Sequence, residues 1–520
     1  MVTRWNPPVE LSSREQKIIK RCTKRRVFVF LRELRHRIFD EEMQEKLRQA
    51  YQREDRVPPA QLALASLLQA ALGVPDHEVV ELTVMDMRWQ MVLGCLGAEE
   101  PIFSQGTLFN FRQRLIEHEL DRELFDKTVR LAREMGGFSG AQLRAAFDAS
   151  PLWGAGRVED TVNLIGRAAK HVVRTAAEQL GRPFAEVAKE AGIPVVAATS
   201  IKMGLDLDWD DPKAKKFGLE KLLAQIRALG DWLQTQLSEG IGAPPLKEQW
   251  ELIEKLIAQD TEPDPDGSGR RITRGVAKDR RISISDADMR HGRKSKKQRV
   301  DGFKRHIAVD LDTPGLVCAV TVTPANQPER VAATELFADV ERLGARVSDL
   351  YIDRGFLDDE AIEARREGGM RVSCKPFPLR NGVLFSKGDF VIDPVAATVR
   401  CPNDVVMPIE FGQTAHFPAS TCSACPKRAQ CTDAKTNRGR SLTIHANEPF
   451  FLELRARAKT SDGRADLRKR VAVEHGLATI GNRQGDRARF RGLRKNVFDL
   501  RRHAMISNLA VIDRLPRLAA

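Results

Sequence analysis

Three acidic residues stand in sequence contexts that could position them for catalysis. Asp148 ends the apolar run AAF, Asp353 ends the run LYI, and Glu474 lies in RKRVAVEHGLATIGN, which has the pattern of a helix. The apolar runs predict buried strands, so the two aspartates are expected where strands end. Two strand-end acids and one helical acid are typical of phosphoryl-transfer sites, where carboxylate oxygens hold two divalent cations. A sheet can bring together acids that are far apart in sequence.

Each of these acids also has an ordinary structural explanation. A strand-end aspartate is often a helix cap or a turn former. A glutamate on a helix is usually just solvated. Arg470 precedes Glu474 by one helical turn, so the two side chains share a helix face, where Arg470 could hold a phosphate or orient the glutamate. The combination is therefore more specific than any of its members.

The composition narrows the class of partner. The chain has 520 residues and a formal net charge of +13, which favours a polyanionic partner over the alternative of a basic housekeeping enzyme. No apolar run approaches the roughly 20 residues that cross a bilayer, and the N-terminus has no apolar signal core. We therefore expect a soluble cytoplasmic protein with no membrane partner. Eight cysteines in a chain this long do not indicate a disulfide scaffold.

Hydrophobic periodicity divides the chain into a helical N-terminal domain and a mixed α/β sheet with a largely helical insertion. Strands are predicted in RAAFDAS, RRISISD, FKRHIAVDLD, GLVCAVTVT, VSDLYID and MRVSCKPF, with an antiparallel hairpin at GFKRHIAVDLDTPGLVCAVTV. The expected divisions are 1–137 (helical, DNA-binding), 141–165 with 275–395 (catalytic core), 166–274 (insertion), 396–445 (cysteine-rich) and 446–520 (the end of the core, with the glutamate helix).

The N-terminal domain is expected to contact DNA. Its last helix carries Arg112 and Arg114, which lie in FSQGTLFNFRQRLIEH, and Ser104 and Thr107 are possible caps. In DNA-binding modules such a helix enters the major groove. A plain helical bundle with solvated arginines is the alternative.

Two basic runs could neutralise phosphates. They are RHGRKSKKQR at 290–299 and RARFRGLRKNVFDLRRH at 487–503. Such runs are often only solvated faces, but these flank the predicted active-site elements, so DNA contact is expected. The candidate residues are Arg293, Lys294, Lys296, Lys297, Arg491, Arg494 and Lys495.

Four cysteines form a second candidate metal site. Cys401 begins CPND, and TCSACPKRAQC supplies Cys422, Cys425 and Cys431. The C-x2-C spacing can hold a tetrahedral Zn²⁺. The second pair is spaced C-x5-C, so a reducible disulfide or unligated thiols remain alternatives.

Several segments resemble the DDE transposases of bacterial insertion sequences. They are FDASPLWGAGRVEDTVNLIG, RISISDADMRHGRKSKKQRVDGFKRHIAVD, TVTPANQPE, DLYIDRGF and RVAVEHGLATIGNRQGDRARFRGLRKNVFDLRRHAMISNLAVI. Residues 60–137 resemble the usual N-terminal domain of that family. The resemblance implies that Asp148, Asp353 and Glu474 are the Asp-Asp-Glu triad. It also implies a ribonuclease-H-like core and a cysteine knuckle of the kind that relatives carry.

The same resemblance implies two Mg²⁺ ions (or Mn²⁺), DNA cleavage and strand transfer at terminal inverted repeats, and a homodimer or larger assembly on transposon-end and target DNA. Some relatives carry the signature Y-x2-R-x3-E-x6-K on the glutamate helix. Here its R-x3-E part is Arg470 and Glu474, but the tyrosine position is Leu467 and the lysine position is Gly481. Arg483 or the later basic cluster could substitute for the lysine.

Two other functions stay open at this point. One is a related metal-dependent nuclease that cuts DNA without joining it. The other is a catalytically inactive relative that only binds DNA. The acidic triad argues against the second.

Overall fold

The chain opens with a helical bundle. The computed structural model describes residues 4–51, 57–138, 141–211, 213–267, 269–295, 297–435 and 437–515. The bundle contains α1 (Ser13–Arg21), α2 (Val27–Ile38), α3 (Glu41–Gln49), α4 (Pro59–Leu72), α5 (Asp76–Met85), α6 (Met87–Leu93), α7 (Gln105–Glu117) and α8 (Leu120–Glu134). The helix α4 begins at Pro59, as its proline pair predicts, because a proline in the first turn forfeits no intrahelical bond. Ser104 caps α7 by accepting the Thr107 N–H.

A long strand then leads into the insertion. The strand β1 (Leu143–Trp153) is followed by α9 (Thr161–Leu180), α10 (Phe184–Glu190), α11 (Ile201–Leu205), α12 (Ala214–Gln236), α13 (Leu246–Asp260), β2 (Thr261–Pro263) and β3 (Arg270–Ile272). The helical character predicted for the insertion is confirmed, although its first helix starts at Thr161 instead of 166. These helices bury a hydrophobic core of their own.

The chain returns to the sheet as β4 (Arg290–Arg293), β5 (Arg299–Asp310) and β6 (Val317–Pro324). It continues through α14 (Ala333–Arg342), β7 (Val347–Ile352), α15 (Glu360–Glu367) and β8 (Arg371–Cys374). The strand order is β6-β5-β1-β7-β8. β4 and β6 both pair with the same edge of β5, β4 with its first residues and β6 with the residues that follow. β5 runs antiparallel to β1, and β7 and β8 run parallel to it. The predicted β5–β6 hairpin is confirmed, and the fold is mixed α/β.

One predicted strand is wrong. Residues 280–286, RRISISD, are irregular. Side chains from other segments accept hydrogen bonds from this backbone, because Arg281 N–H donates to Gln259 of α13 and Ile284 N–H donates to Glu159, just before α9. A ladder cannot form where these donors are already used.

The cysteine-rich segment forms small sheets around a third core. Its elements are β9 (Val391–Asp393), β10 (Thr398–Arg400), β11 (Val406–Pro408), β12 (Thr414–His416), α16 (Ala419–Ser423), α17 (Arg428–Cys431) and β13 (Ser441–Thr443).

The last helices close the core. They are α18 (Glu448–Lys459), α19 (Ser461–Lys469), α20 (Val471–Gln484) and α21 (Leu493–Ile512). The helix α21 is buried along nearly its whole length, and one continuous hydrophobic core includes residues of the N-terminal bundle, the sheet and α21. Among the described helices, none combines the length and apolar character needed to cross a membrane.

Candidate active site

Asp148, Asp353 and Glu474 line one cavity of about 430 Å³ at the middle of the sheet. The register of the parallel pair β1–β7 explains how the two aspartates meet. Ala146 pairs with Tyr351, so Asp148 and Asp353 each lie two residues further along neighbouring strands. Two residues is the side-chain repeat of a strand, which brings both acids to the same level of the sheet.

Asp148 lies within its strand instead of at its end. β1 continues for five residues beyond it, to Trp153, and Asp148 pairs with Ile307 of β5. Its carboxylate accepts the Ala149 N–H at 2.8 Å. Burial raises the pKa of Asp148 above its ordinary value, and the negative charges of Asp353 and Glu474 raise it further. The predicted strand RAAFDAS stops at Ser150, and its extension to Trp153 was not predicted because Pro151 follows.

Asp353 follows β7 directly and caps a short 3₁₀ turn. Its Oδ1 accepts the Gly355 N–H at 2.8 Å. A side chain at Gly355 would collide with Glu329 and contact Asp353. The glycine therefore lets the backbone pass close to the carboxylates of the cavity.

Glu474 is brought to the cavity by α20, which packs on β1 and β5. The helix comes close to the sheet at Gly476, where a Cβ would lie 3.1 Å from Ile307 and Val309 side chains. Arg470, the residue just before α20, donates to Asp148 Oδ2 at 2.8 Å and also pairs with Glu474. One guanidinium thus joins the acid of the strand to the acid of the helix.

The cavity contains two charged residues that the sequence reasoning missed, Glu329 and Lys304. Glu329 begins the 3₁₀ turn after β6, and burial raises its pKa to about 7, with the charge of Asp353 adding to the effect. Lys304 lies on β5, and its Nζ donates to the Gln327 carbonyl at 2.8 Å. The sequence signals for these two residues were a lysine within the predicted strand FKRHIAVDLD and a glutamate at the end of TPANQPE.

The first basic run reaches the cavity. Arg293 and Lys294, at the tip of the β4–β5 hairpin, line it, and both are exposed. Lys297 is exposed in the same loop, and Lys296 lies outside the described residues. β4 itself was not predicted, because a run of basic residues does not have the pattern of a buried strand.

Arg112 lies inside the protein, contrary to its expected place on a DNA-facing helix. Only 4% of it is exposed. Its guanidinium donates to Gln69 at 3.0 Å and to Asp76 at 2.9 Å. Arg114 is half-buried, with its guanidinium over the Tyr51 ring at 4.4 Å. Gln69 and Asp76 occupy the guanidinium of Arg112, so this residue connects helices of the bundle and does not face a ligand.

The second basic run is divided between surface and interior. Arg491 is exposed and Lys495 is half-buried. Arg494, however, pairs with Asp121 of α8 at 3.0 Å, and Arg501 pairs with the same carboxylate at 2.9 Å. Arg494 therefore ties α21 to the N-terminal bundle, a role that the sequence could not distinguish from DNA contact.

Gly481 is explained by the residue that lies against it. A Cβ at this position would lie 3.1 Å from the Arg305 guanidinium. Arg305, buried on β5, donates to Ser150 Oγ at 2.7 Å, and to Gln484 at 2.9 Å and Gly485 at 3.0 Å. Arg305 thus fills the space beside Gly481 and fixes the end of α20 to the strand that carries Asp148. Arg483 is half-buried on the same helix.

The four cysteines predicted as zinc ligands line one small cavity together with Arg428 and Arg440. All four are free thiols, so the disulfide alternative is not seen. Burial raises the pKa of Cys431, Arg440 lowers it, and the charges of the other three thiolates raise it. The side chains are nevertheless not arranged as a finished site. Across the described residues, no three His, Cys, Asp or Glu side chains are placed to hold an ion as they stand.

Comparison with known protein families agrees with the resemblance read from the sequence. The family model "Transposase DDE domain" matches residues 409–512, and "Transposase domain (DUF772)" matches residues 15–114. Both models describe transposase domains, and together they support an insertion-sequence DDE transposase. No curated protein and no solved structure shows significant similarity to it.

The matched ranges include only some of the residues that line the cavity. Arg470 and Glu474 fall within the DDE-domain match, whereas Asp148 and Asp353 precede it. The sheet register and the shared cavity are therefore what associate the two aspartates with the glutamate.

Proposed function

We propose that the cavity is the catalytic site of Mg²⁺-dependent DNA cleavage and strand transfer, with Asp148, Asp353 and Glu474 as its essential carboxylates. The single observation that supports this most is their convergence on one cavity from two adjacent strands and a late helix. The site lies in a protein whose families indicate a DNA-processing enzyme.

We further propose that the sheet is a ribonuclease-H-like core. If β1, β5, β6, β7 and β8 are counted as the first to fifth strands, they lie side by side in the order 3-2-1-4-5. The second strand is antiparallel to the first, and the fourth and fifth are parallel to it. Asp148 lies on the first strand, Asp353 follows the fourth, and Glu474 lies on a helix after the fifth. This arrangement agrees with the core that the family resemblance implies.

The donor set suits hard divalent cations, which prefer carboxylate oxygen. The acids repel one another, since the charges of Asp353 and Glu474 raise the pKa of Asp148. A cation would relieve that repulsion. Asp148, Asp353 and Glu474 would hold the ions, and bound metal would supply an activated nucleophile and neutralise the leaving oxygen.

The protein's own cations have separate tasks. Arg293 and Lys294 would hold the DNA backbone at the mouth of the cavity, and Lys304 would contact the phosphate inside it. Charge-assisted bonds to phosphate are stronger than neutral ones. Arg470 would orient the two acids that it bridges.

The test is cleavage and joining of DNA that carries the element's terminal inverted repeats. Asp148→Asn, Asp353→Asn and Glu474→Gln should each lower Mg²⁺-dependent cleavage by about 10³-fold, since a metal-held charge contributes several kcal/mol to the transition state. Binding of the same DNA should be largely retained. Substantial cleavage by one variant would remove that residue from the site.

Strand transfer separates this function from the nuclease alternative. A transposase should join a cleaved 3′ end to a second duplex, which gel analysis of labelled ends detects. Cleavage without any joined product would favour the nuclease. The assembly on DNA stays a prediction.

We also propose that Cys401, Cys422, Cys425 and Cys431 hold a structural Zn²⁺. Thiolates are soft ligands suited to this ion, and all four line the same cavity. Purified protein should carry about one zinc per chain by elemental analysis. Cys425→Ser should lower that content, whereas Cys95→Ser, outside the segment, should not. Zinc-free protein prepared without chelators would contradict the site.

A further inference from the structure

A strongly basic surface lies on the N-terminal bundle, far in sequence from the runs discussed above. It consists of Arg14, Lys17, Lys20, Arg21, Lys24 and Arg25, which we call the α1 basic face; all six residues are exposed. The surface covers α1 and the turn that leads to α2.

The periodicity of α1 explains how one short helix carries so much charge. Its inward face holds Glu15, Ile18 and Cys22, at spacings of three and four. Arg14 and Lys17 each lie one residue before an inward position, as does Arg21, so they form a parallel stripe turned toward solvent. Ser12 and Glu15 form a capping box that fixes the start of the helix.

The α1 basic face is firmly attached to the rest of the protein. Glu15, the acidic residue of α1, is buried and forms a 2.5 Å ion pair with Arg32 of α2. Just after the turn, Arg26 pairs with Asp513 at 2.7 Å, beside the C-terminal end of α21. Because α21 belongs to the core that includes the sheet, the face has a fixed position relative to the catalytic strands.

The charges of this face are not balanced by neighbours. Within the described part of the chain, no carboxylate forms an ion pair with Lys17, Lys20 or Arg21. An ordinary solvated surface mixes both signs of charge, since a single-sign patch repels itself. Here the acid that could have balanced the patch is buried and used by Arg32.

We propose that the α1 basic face binds the sugar-phosphate backbone of duplex DNA outside the catalytic cavity. The inference rests on the proposed function, which supplies duplex DNA as the partner, and adds a contact surface to it. It also replaces Arg112 as the expected contact of this bundle, because Arg112 is buried and paired. Flexible lysines and arginines on an anchored helix suit phosphates, which need charge without base recognition.

The experiment compares two variants that remove the same number of charges. The test variant combines Lys17→Gln, Lys20→Gln, Arg21→Gln and Lys24→Gln. The control combines Lys213→Gln, Lys215→Gln, Lys247→Gln and Lys255→Gln, which are exposed residues of the insertion. Fluorescence anisotropy measures the affinity of full-length protein for terminal-repeat and scrambled duplexes at several salt concentrations.

The test variant should bind both duplexes more weakly. Its plot of log affinity against log salt should be shallower by about 0.9 for each phosphate that the face no longer neutralises. The control should keep the wild-type slope. Equal slopes in the test variant and wild type, or equal changes in both variants, would overturn the proposal.

Cleavage distinguishes failure of this inference from failure of the proposed function. If the test variant binds like wild type while the carboxylate variants are inactive, the α1 basic face is not a DNA contact and the catalytic site stands. If wild-type protein cleaves no terminal-repeat DNA, the proposed function fails, but the binding comparison still decides the role of the face.

Discussion

Two groups of charged residues in this protein have similar sequence character but opposite surroundings. The proposed catalytic cavity holds Asp148, Asp353, Glu474, Glu329 and Lys304 around a volume of about 430 Å³. The contact between α8 and α21 holds Asp121 with Arg494 and Arg501. In the cavity, several acids share open space, Arg470 bridges two of them, and Glu474 is 49% exposed at its side chain. In the contact, Asp121 and Arg501 are each 1% exposed and the acid faces cations.

The comparison distinguishes charged side chains that stay accessible to a ligand from charged side chains that stabilise the fold. A buried ion pair whose partners satisfy each other leaves nothing for a ligand to bind. Acids that repel one another beside open space favour the binding of a cation there. The arginines of α21 looked like DNA contacts in sequence, yet their acidic partner comes from a helix more than 370 residues earlier.

The largest effect on stability should come from the α8–α21 contact. Asp121→Asn leaves Arg501 buried without its carboxylate, so we expect the free energy of unfolding to fall by about 3–5 kcal/mol. Asp312→Asn breaks the exposed pair with Arg144 and should cost about 0–1 kcal/mol. Urea unfolding measures both. Equal decreases in the free energy of unfolding would mean that burial does not distinguish the two ion pairs, which would contradict the comparison.

A smaller effect, on catalysis alone, should come from Lys304 in the cavity. Lys304→Gln should lower the cleavage rate by about 10²-fold, which is typical of removing one donor that stabilises developing charge. The stability of the protein and its affinity for terminal-repeat DNA should change little. Lys255→Gln, an exposed change in the insertion, is the control. If Lys304→Gln weakens binding but leaves the rate at saturating DNA unchanged, this lysine only anchors the backbone.

The smallest effect should be a pH dependence due to Glu329. Burial raises its pKa from 4.5 to about 7, so the folded chain keeps a proton that the unfolded chain loses within this interval. The free energy of unfolding therefore falls as pH rises from about 4.5 to 7, and it falls no further from this group above pH 7. Glu329→Gln cannot ionise, so its melting temperature in metal-free buffer should exceed the wild-type value above pH 7.

Below about pH 4.5 that difference should vanish. Glu360→Gln, an exposed change at the start of α15, should show no such trend. A constant difference between Glu329→Gln and wild type at all pH values would indicate a packing effect instead of ionisation.

Local patterns predicted much of the secondary structure. The β5–β6 hairpin and the helices of the insertion follow from periodicity that each segment carries within itself. The strand predicted for RRISISD was wrong because the hydrogen-bond partners of this segment, Gln259 on α13 and Glu159 before α9, are distant in sequence. The same reason applies to the strand of Asp148, which is extended past Pro151 by pairing with β5.

The sequence by itself determined the three acids, their order along the chain and the resemblance to a family, because residue types and local periodicity are properties of short segments. Only the tertiary structure decided which charges share a space. It brought Glu329 and Lys304 into the cavity, placed Arg305 in the space beside Gly481, and buried Arg112 and Arg501 against acids. In the sequence, a charged residue looks the same whether the fold places it in an ion pair or leaves it accessible to a ligand. Its function depends on the distance to other charges and to water, which is set when distant segments pack together.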